Sequence, residues 1–112
     1  EKTTFMPKIE VQEGKEDIIV KAELPGIEKK DVSVTIEQGN LIIQGEKKTK
    51  QEIKKKGYYY SEASYGNFYR SITLNTEIEE KDAQAKFKNG ILTINLPKSK
   101  EAKAKSKTIN IS

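Results

Sequence analysis

Residues 84–97 read Gln84-Ala85-Lys86-Phe87-Lys88-Asn89-Gly90-Ile91-Leu92-Thr93-Ile94-Asn95-Leu96-Pro97. Asn-Gly is the dipeptide favoured by a two-residue hairpin turn, because both central residues of that turn need positive φ. Short, β-prone runs flank it. The stretch therefore predicts a hairpin joining 84–88 to 91–96, and the chain around it must supply further strands to cover this hairpin's apolar side.

Working outward, the same short, turn-punctuated pattern recurs. Ile9 and Val11 alternate with Lys8 and Glu10, and Ile18, Val20, Ala22 and Leu24 share one face before Pro25-Gly26 breaks the run. Val32, Val34 and Ile36 alternate with Ser33 and Thr35, and Gln38-Gly39-Asn40 turns the chain into Leu41-Ile42-Ile43-Gln44. Phe68, Arg70, Ile72 and Leu74 then alternate with Tyr69, Ser71 and Thr73. These segments predict an all-β, immunoglobulin-like sandwich of seven to eight strands, with no helix and an extended C-terminal tail.

The 112 residues suit one domain, and the apolar set of 34 per cent is matched by an equal charged share. There is no Cys and no His. Disulfides, thiolate nucleophiles, thiolate or imidazole metal sites and Ser-His-Asp triads are thereby excluded. No phosphate-cradling glycine loop and no calcium loop occurs, and the carboxylate pairs Glu16-Asp17 and Glu79-Glu80 read as solvated turn charges. Neither an enzyme nor a cofactor is expected. The net charge of +4 resides in two lysine-rich segments, 46–56 and 97–108, each +4, which leaves the remainder at −4. With one Arg and no Trp, those segments read as solvated connectors, and neither nucleic acid nor a membrane surface is an expected partner. A soluble protein of the cytoplasm is the expectation.

Two segments exceed a minimal sandwich. About twenty residues separate the strand ending near Gly45 from the one beginning near Asn67, where hairpin loops need two to five. They contain Tyr58-Tyr59-Tyr60-Ser61, an aromatic run suited to a strand that buries rings and still satisfies hydroxyls. It reads as an extra strand on a lysine-rich arm that pairs with another subunit, or as a strand folding back on its own sheet. The second segment is the polar tail after Pro97, which ends Thr108-Ile109-Asn110-Ile111-Ser112. In an extended strand Ile109 and Ile111 point to one side. They form either a two-knob peptide that adds to an exposed sheet edge or a last strand of the same domain.

Several stretches together resemble one family. Ala85 to Pro97 resembles the A-x-x-x-n-G-v-L signature, with its trailing proline, of the α-crystallin domain in small heat shock proteins of the archaeal and prokaryotic type. Ala22-Glu23-Leu24-Pro25-Gly26, Leu41-Ile42-Ile43-Gln44-Gly45-Glu46 and Gly66-Asn67-Phe68-Tyr69-Arg70 resemble further landmarks of that family in the same order, and Ile109-Asn110-Ile111 resembles its I-x-I anchor. The resemblance divides the chain into 1–7, a remnant of an N-terminal arm truncated here; 8–97, the α-crystallin domain with a long loop and dimerisation strand at 46–66; and 98–112, the C-terminal extension. It implies a strand-exchanged homodimer in which Tyr58, Tyr59, Tyr60 and Ser61 are lent to the neighbour and Arg70 lies at the dimer interface. It further implies a groove for tail and client, lined by Val32, Val34 and Ile36 on one edge and Ala83, Ala85 and Phe87 on the other. Ile109 and Ile111 would anchor the tail there and build higher homo-oligomers.

The implied activity is that of an ATP-independent holdase for unfolding client proteins. The alternative is a co-chaperone-like β-sandwich module that binds proteins as a monomer without holdase activity.

Overall fold

A computed structural model of the chain describes the backbone of residues 2–4, 6–55, 58–105 and 109–112, and the side chains of residues 6–46, 66–104 and 109–112. Among the described residues eight strands run β1 (Lys2–Thr4), β2 (Lys8–Glu13), β3 (Asp17–Glu23), β4 (Val32–Glu37), β5 (Asn40–Lys55), β6 (Tyr58–Thr73), β7 (Gln84–Lys88) and β8 (Ile91–Pro97). They form two four-stranded sheets, ordered β1-β6-β5-β4 and β2-β3-β8-β7. Every pairing is antiparallel except that of β1 with β6. The result is the all-β sandwich that the alternation predicts.

The Asn-Gly hairpin stands as read: Asn89 and Gly90 have φ of 52° and 77°, and Lys88 pairs with Ile91. The Gly90 carbonyl accepts the Leu24 amide proton at 2.7 Å, so this turn is stitched to the Pro25-Gly26 corner of β3's exit. Between the sheets lie Ile18, Val20, Ala22 and Leu24, facing Leu41, Ile43 and Phe68, with Leu92, Ile94 and Leu96 of β8 completing the core. Each such side chain contributes about 1.5–3 kcal/mol of burial before ordering costs. Period-2 placement puts their neighbours Lys21, Glu23 and Gln44 in solvent.

Three features depart from the sequence expectations. In place of the long loop expected over 46–66, residues 46–55 and 58–66 continue the β5–β6 ladder, which is paired from Asn40↔Thr73 to Lys55↔Tyr58. Its lysines, threonine and tyrosines tolerate an extended backbone, and a loop of that length would leave its peptide groups unpaired by any ladder. The segment 1–7 carries β1, whose Lys2–Thr4 pair in parallel with Tyr65, Gly66 and Asn67. The tail is not extended throughout, because α1 (Lys100–Lys105) is helical. The Ser99 hydroxyl accepts the Ala102 amide proton at 3.0 Å, and the Lys103 amide donates to the Ser99 carbonyl at 3.0 Å. This is an N-cap ahead of Lys, Glu and Ala, all good helix formers.

Gly45 fixes where β4 and β6 meet β5. A Cβ there would lie 2.5 Å from the Asp31 carbonyl oxygen and 2.7 Å from the Phe68 ring. Gly45→Ala is therefore expected to lower stability by about 1–3 kcal/mol, the scale of overpacking. Urea unfolding measures this, and an unchanged midpoint would mean that β4 yields freely at that point.

Candidate functional site

β4 and β7 are end strands of their respective sheets, and an apolar groove opens between them. Val34, Ile36, Ala83 and Ala85 line one stretch of about 290 Å³, floored by Leu41, Ile94 and Leu96. Val32, Val34, Ala85 and Phe87, over Leu92, line a second stretch of about 180 Å³. All six groove residues expected from the sequence are thus brought together across the two edges. The floor residues Leu41, Leu92, Ile94 and Leu96 add to the six expected from the sequence, and their alternation places them on the inner face. Glu80 borders one stretch and Lys29 the other, so the two ends carry opposite charges.

The expected arm strand lies on the distal hairpin. Tyr58, Tyr59, Tyr60 and Ser61 pair with Lys55, Lys54, Ile53 and Glu52 of the same chain, and their side chains lie outside the described residues. Arg70 is on the inner face of β6, where its guanidinium donates to the Pro7 carbonyl at 3.3 Å. It thereby ties the entry to β2 onto the opposite sheet. Val11 on β2 is apolar yet 48% exposed. Ile109 and Ile111 are 80% and 97% exposed, so neither is a core strand residue of its own chain.

The root of the tail is held far more firmly than a solvated connector would be. Lys98 is buried, and its ammonium pairs with Glu13 Oε2 at 2.9 Å while its amide donates to the Glu16 carbonyl at 2.9 Å. The Ser99 hydroxyl donates to Glu77 Oε1 at 2.8 Å, and Lys103 pairs with Glu16 Oε1 at 3.1 Å. Glu16 and Asp17 are thus not idle turn charges, since Asp17 also accepts from the Asn95 amide at 3.0 Å. The missed signal was Pro97-Lys98-Ser99: a Ser before a run of helix formers marks an N-cap.

The hydrogen bond from Lys98, then its charge, hold the Glu13 carboxyl below the usual carboxylate range, with partial desolvation opposing and the Thr76 hydroxyl assisting. A lowered folded-state value means that the contribution is complete above the ordinary glutamate range and is lost as the pH falls through the lowered value. Because Glu13 is half exposed, solvent and salt weaken the effect. Acidification should therefore loosen the tail root before the sandwich unfolds. The Lys98 side-chain ε-methylene resonance should move as the Glu13 carboxyl takes up its proton in the wild type and not in Glu13→Gln. A shift of equal size in both proteins would contradict the assignment.

Among the described residues, no group of three or more acidic side chains is placed to hold a metal, and no helix is long and apolar enough to cross a membrane. An apolar groove between two sheet edges, a projecting β5–β6 ribbon and an exposed isoleucine pair are the features this β-sandwich adds to its core. The chain belongs to the Hsp20/alpha crystallin family, which matches residues 10–112. It is 38% identical over 101 residues to small heat shock protein C2 of Rickettsia felis, covering 90% of this chain and 66% of that protein. It is 37% identical over 101 residues to spore protein SP21 of Stigmatella aurantiaca, covering 90% and 60%. The chain thus spans under two thirds of the length of these two curated relatives. The structure of heat shock protein 16.0 from Schizosaccharomyces pombe superposes with a TM-score of 0.76 at 38% identity, over 96% of this chain and 99% of that one. The family is one of heat shock proteins, not of enzymes.

Proposed function

We propose that the chain is an ATP-independent holdase that binds non-native proteins and prevents their aggregation, working in the cytoplasm as strand-exchanged dimers linked by their tails. The observation that carries this reading is the open β4/β7 groove on a chain that also ends in an exposed Ile109-Asn110-Ile111. In it, Val32, Val34, Ile36, Ala83, Ala85 and Phe87 receive either the isoleucine pair of another copy or an apolar segment of an unfolding client. Warming releases the tail and shifts the population toward open grooves. Tyr58 to Ser61 are lent to the neighbouring subunit, and Arg70 lies near that junction. The projecting arm and exposed isoleucines weigh against the monomeric, co-chaperone-like alternative, which has no use for either.

The test is light scattering from a heat-labile client with and without this protein. Near-stoichiometric amounts should suppress aggregation to the same degree whether or not ATP is present. Aggregation that proceeds unchecked, or is checked only with ATP, would defeat the reading.

A further inference from the structure

The tail leaves β8 with the groove to one side of it and the β2–β3 turn to the other, because the sheet order is β2-β3-β8-β7. Its ties select between these directions. Lys98 reaches Glu13 at the end of β2, and Lys103 of α1 reaches Glu16 at the β2–β3 turn. On the other side of the tail root Ile78 is bridged to Lys98, and Ser99 is fastened to Glu77 beside it. α1 is thus held over the β2–β3 turn, on the side of β8 away from the chain's own groove.

Length would otherwise allow the opposite course. The ten residues from Ser99 to Ile109 span up to about 33 Å when extended, against about 17 Å for a five-residue strand such as β7. Wound as six helical residues, Lys100–Lys105 cover only about 9 Å. A free, extended tail could double back into its own groove, and helix formation over Lys100–Lys105 shortens that reach.

We infer that Glu13 and Glu16, acting through Lys98 and Lys103, are positioning residues that turn the isoleucine pair away from its own groove and deliver it to a second copy of the chain. The inference rests on the tail-in-groove reading above. Breaking the clamp converts assembly between copies into self-capping: the same groove is filled by the same peptide, but no second subunit is bound.

The chain lacks cysteine, so Asn110→Cys in the tail and Gln84→Cys on the groove wall report docking as a disulfide. A chain carrying both cysteines, mixed with a large excess of the cysteine-free chain, can form only the intramolecular bond. That bond should be rare with the clamp intact. It should rise roughly fivefold in Glu13→Gln/Glu16→Gln, the scale of losing about one effective ion pair. Lys103→Glu alone should raise it too, and Lys103→Glu with Glu16→Lys should restore the wild-type level, a rescue that general loosening of the fold would not produce. If the intramolecular bond stays rare in both clamp variants while bonds between undiluted copies persist, the positioning role is overturned. If no bond forms in any arrangement, diluted or not, tail-in-groove docking itself fails.

Discussion

Replacing Ile109 and Ile111 together with serine is expected to reduce the assembly to dimers while leaving the sandwich folded. Both side chains are exposed in the single chain, so their removal costs the core nothing. When each is seated in the groove of another copy, it contributes about 1.5–3 kcal/mol, and ordering the backbone around it opposes with about 1–2 kcal/mol per residue. A single tail is therefore a weak ligand. In the proposed assembly each dimer would carry two tails and two grooves, so later contacts would be intramolecular and weak contacts would sum to a stable particle. Loss of both isoleucines removes the whole favourable term at every joint, whereas Ile111→Ser alone should only raise the concentration at which particles form. Sedimentation velocity distinguishes these outcomes. Particles of unchanged size in the double variant would mean that assembly uses some other surface.

The sandwich was legible because its signals are local. Asn89-Gly90, Pro25-Gly26 and Gln38-Gly39 punctuate runs whose alternation fixes which face is buried, and the register follows once one face must meet the core. The groove was legible for the same reason: Val32, Val34 and Ile36 repeat every second residue. The arm was less so, because the Lys-rich sequence at 46–56 has no apolar alternation to set a period, and only the pairing of β5 with β6 reveals that the backbone up to Lys55 is extended. The helix of the tail was hidden by its length. Six residues cannot show a 3.6-residue apolar period, and α1 depends on the Ser99 cap and on ion pairs to Glu13 and Glu16, which lie more than eighty residues away. Such long-range charge contacts leave no periodic trace in a sequence. Lys98 shows the consequence, since composition assigns it to solvent and the fold buries it beside a carboxylate.

Removing the distal arm is expected to convert dimers to monomers. The radius of gyration is 19.2 Å, against about 13 Å for a compact domain of this size, and the longest dimension is 74 Å. A sixteen-residue strand is about 53 Å long, so the β5–β6 ribbon accounts for the excess. Among the described residues, the one further strand that pairs with its distal part is the three-residue β1, at Tyr65–Asn67, and an isolated two-stranded ribbon is marginal in water. β2, meanwhile, is an end strand with Val11 half exposed, an edge that invites another chain. The two deficiencies match: the ribbon needs a sheet, and the sheet edge needs a strand. Replacing residues 49–64 with Asn-Gly would close the hairpin where Lys48 already pairs with Tyr65, leaving both sheets and the Arg70 contact to Pro7 in place. Sedimentation of this shortened chain, also carrying the two serine substitutions in the tail, should give a monomer with the β-sheet circular dichroism of the parent. A persistent dimer would show that subunits pair through the sandwich body, and Tyr58 to Ser61 would then have no part in dimerisation.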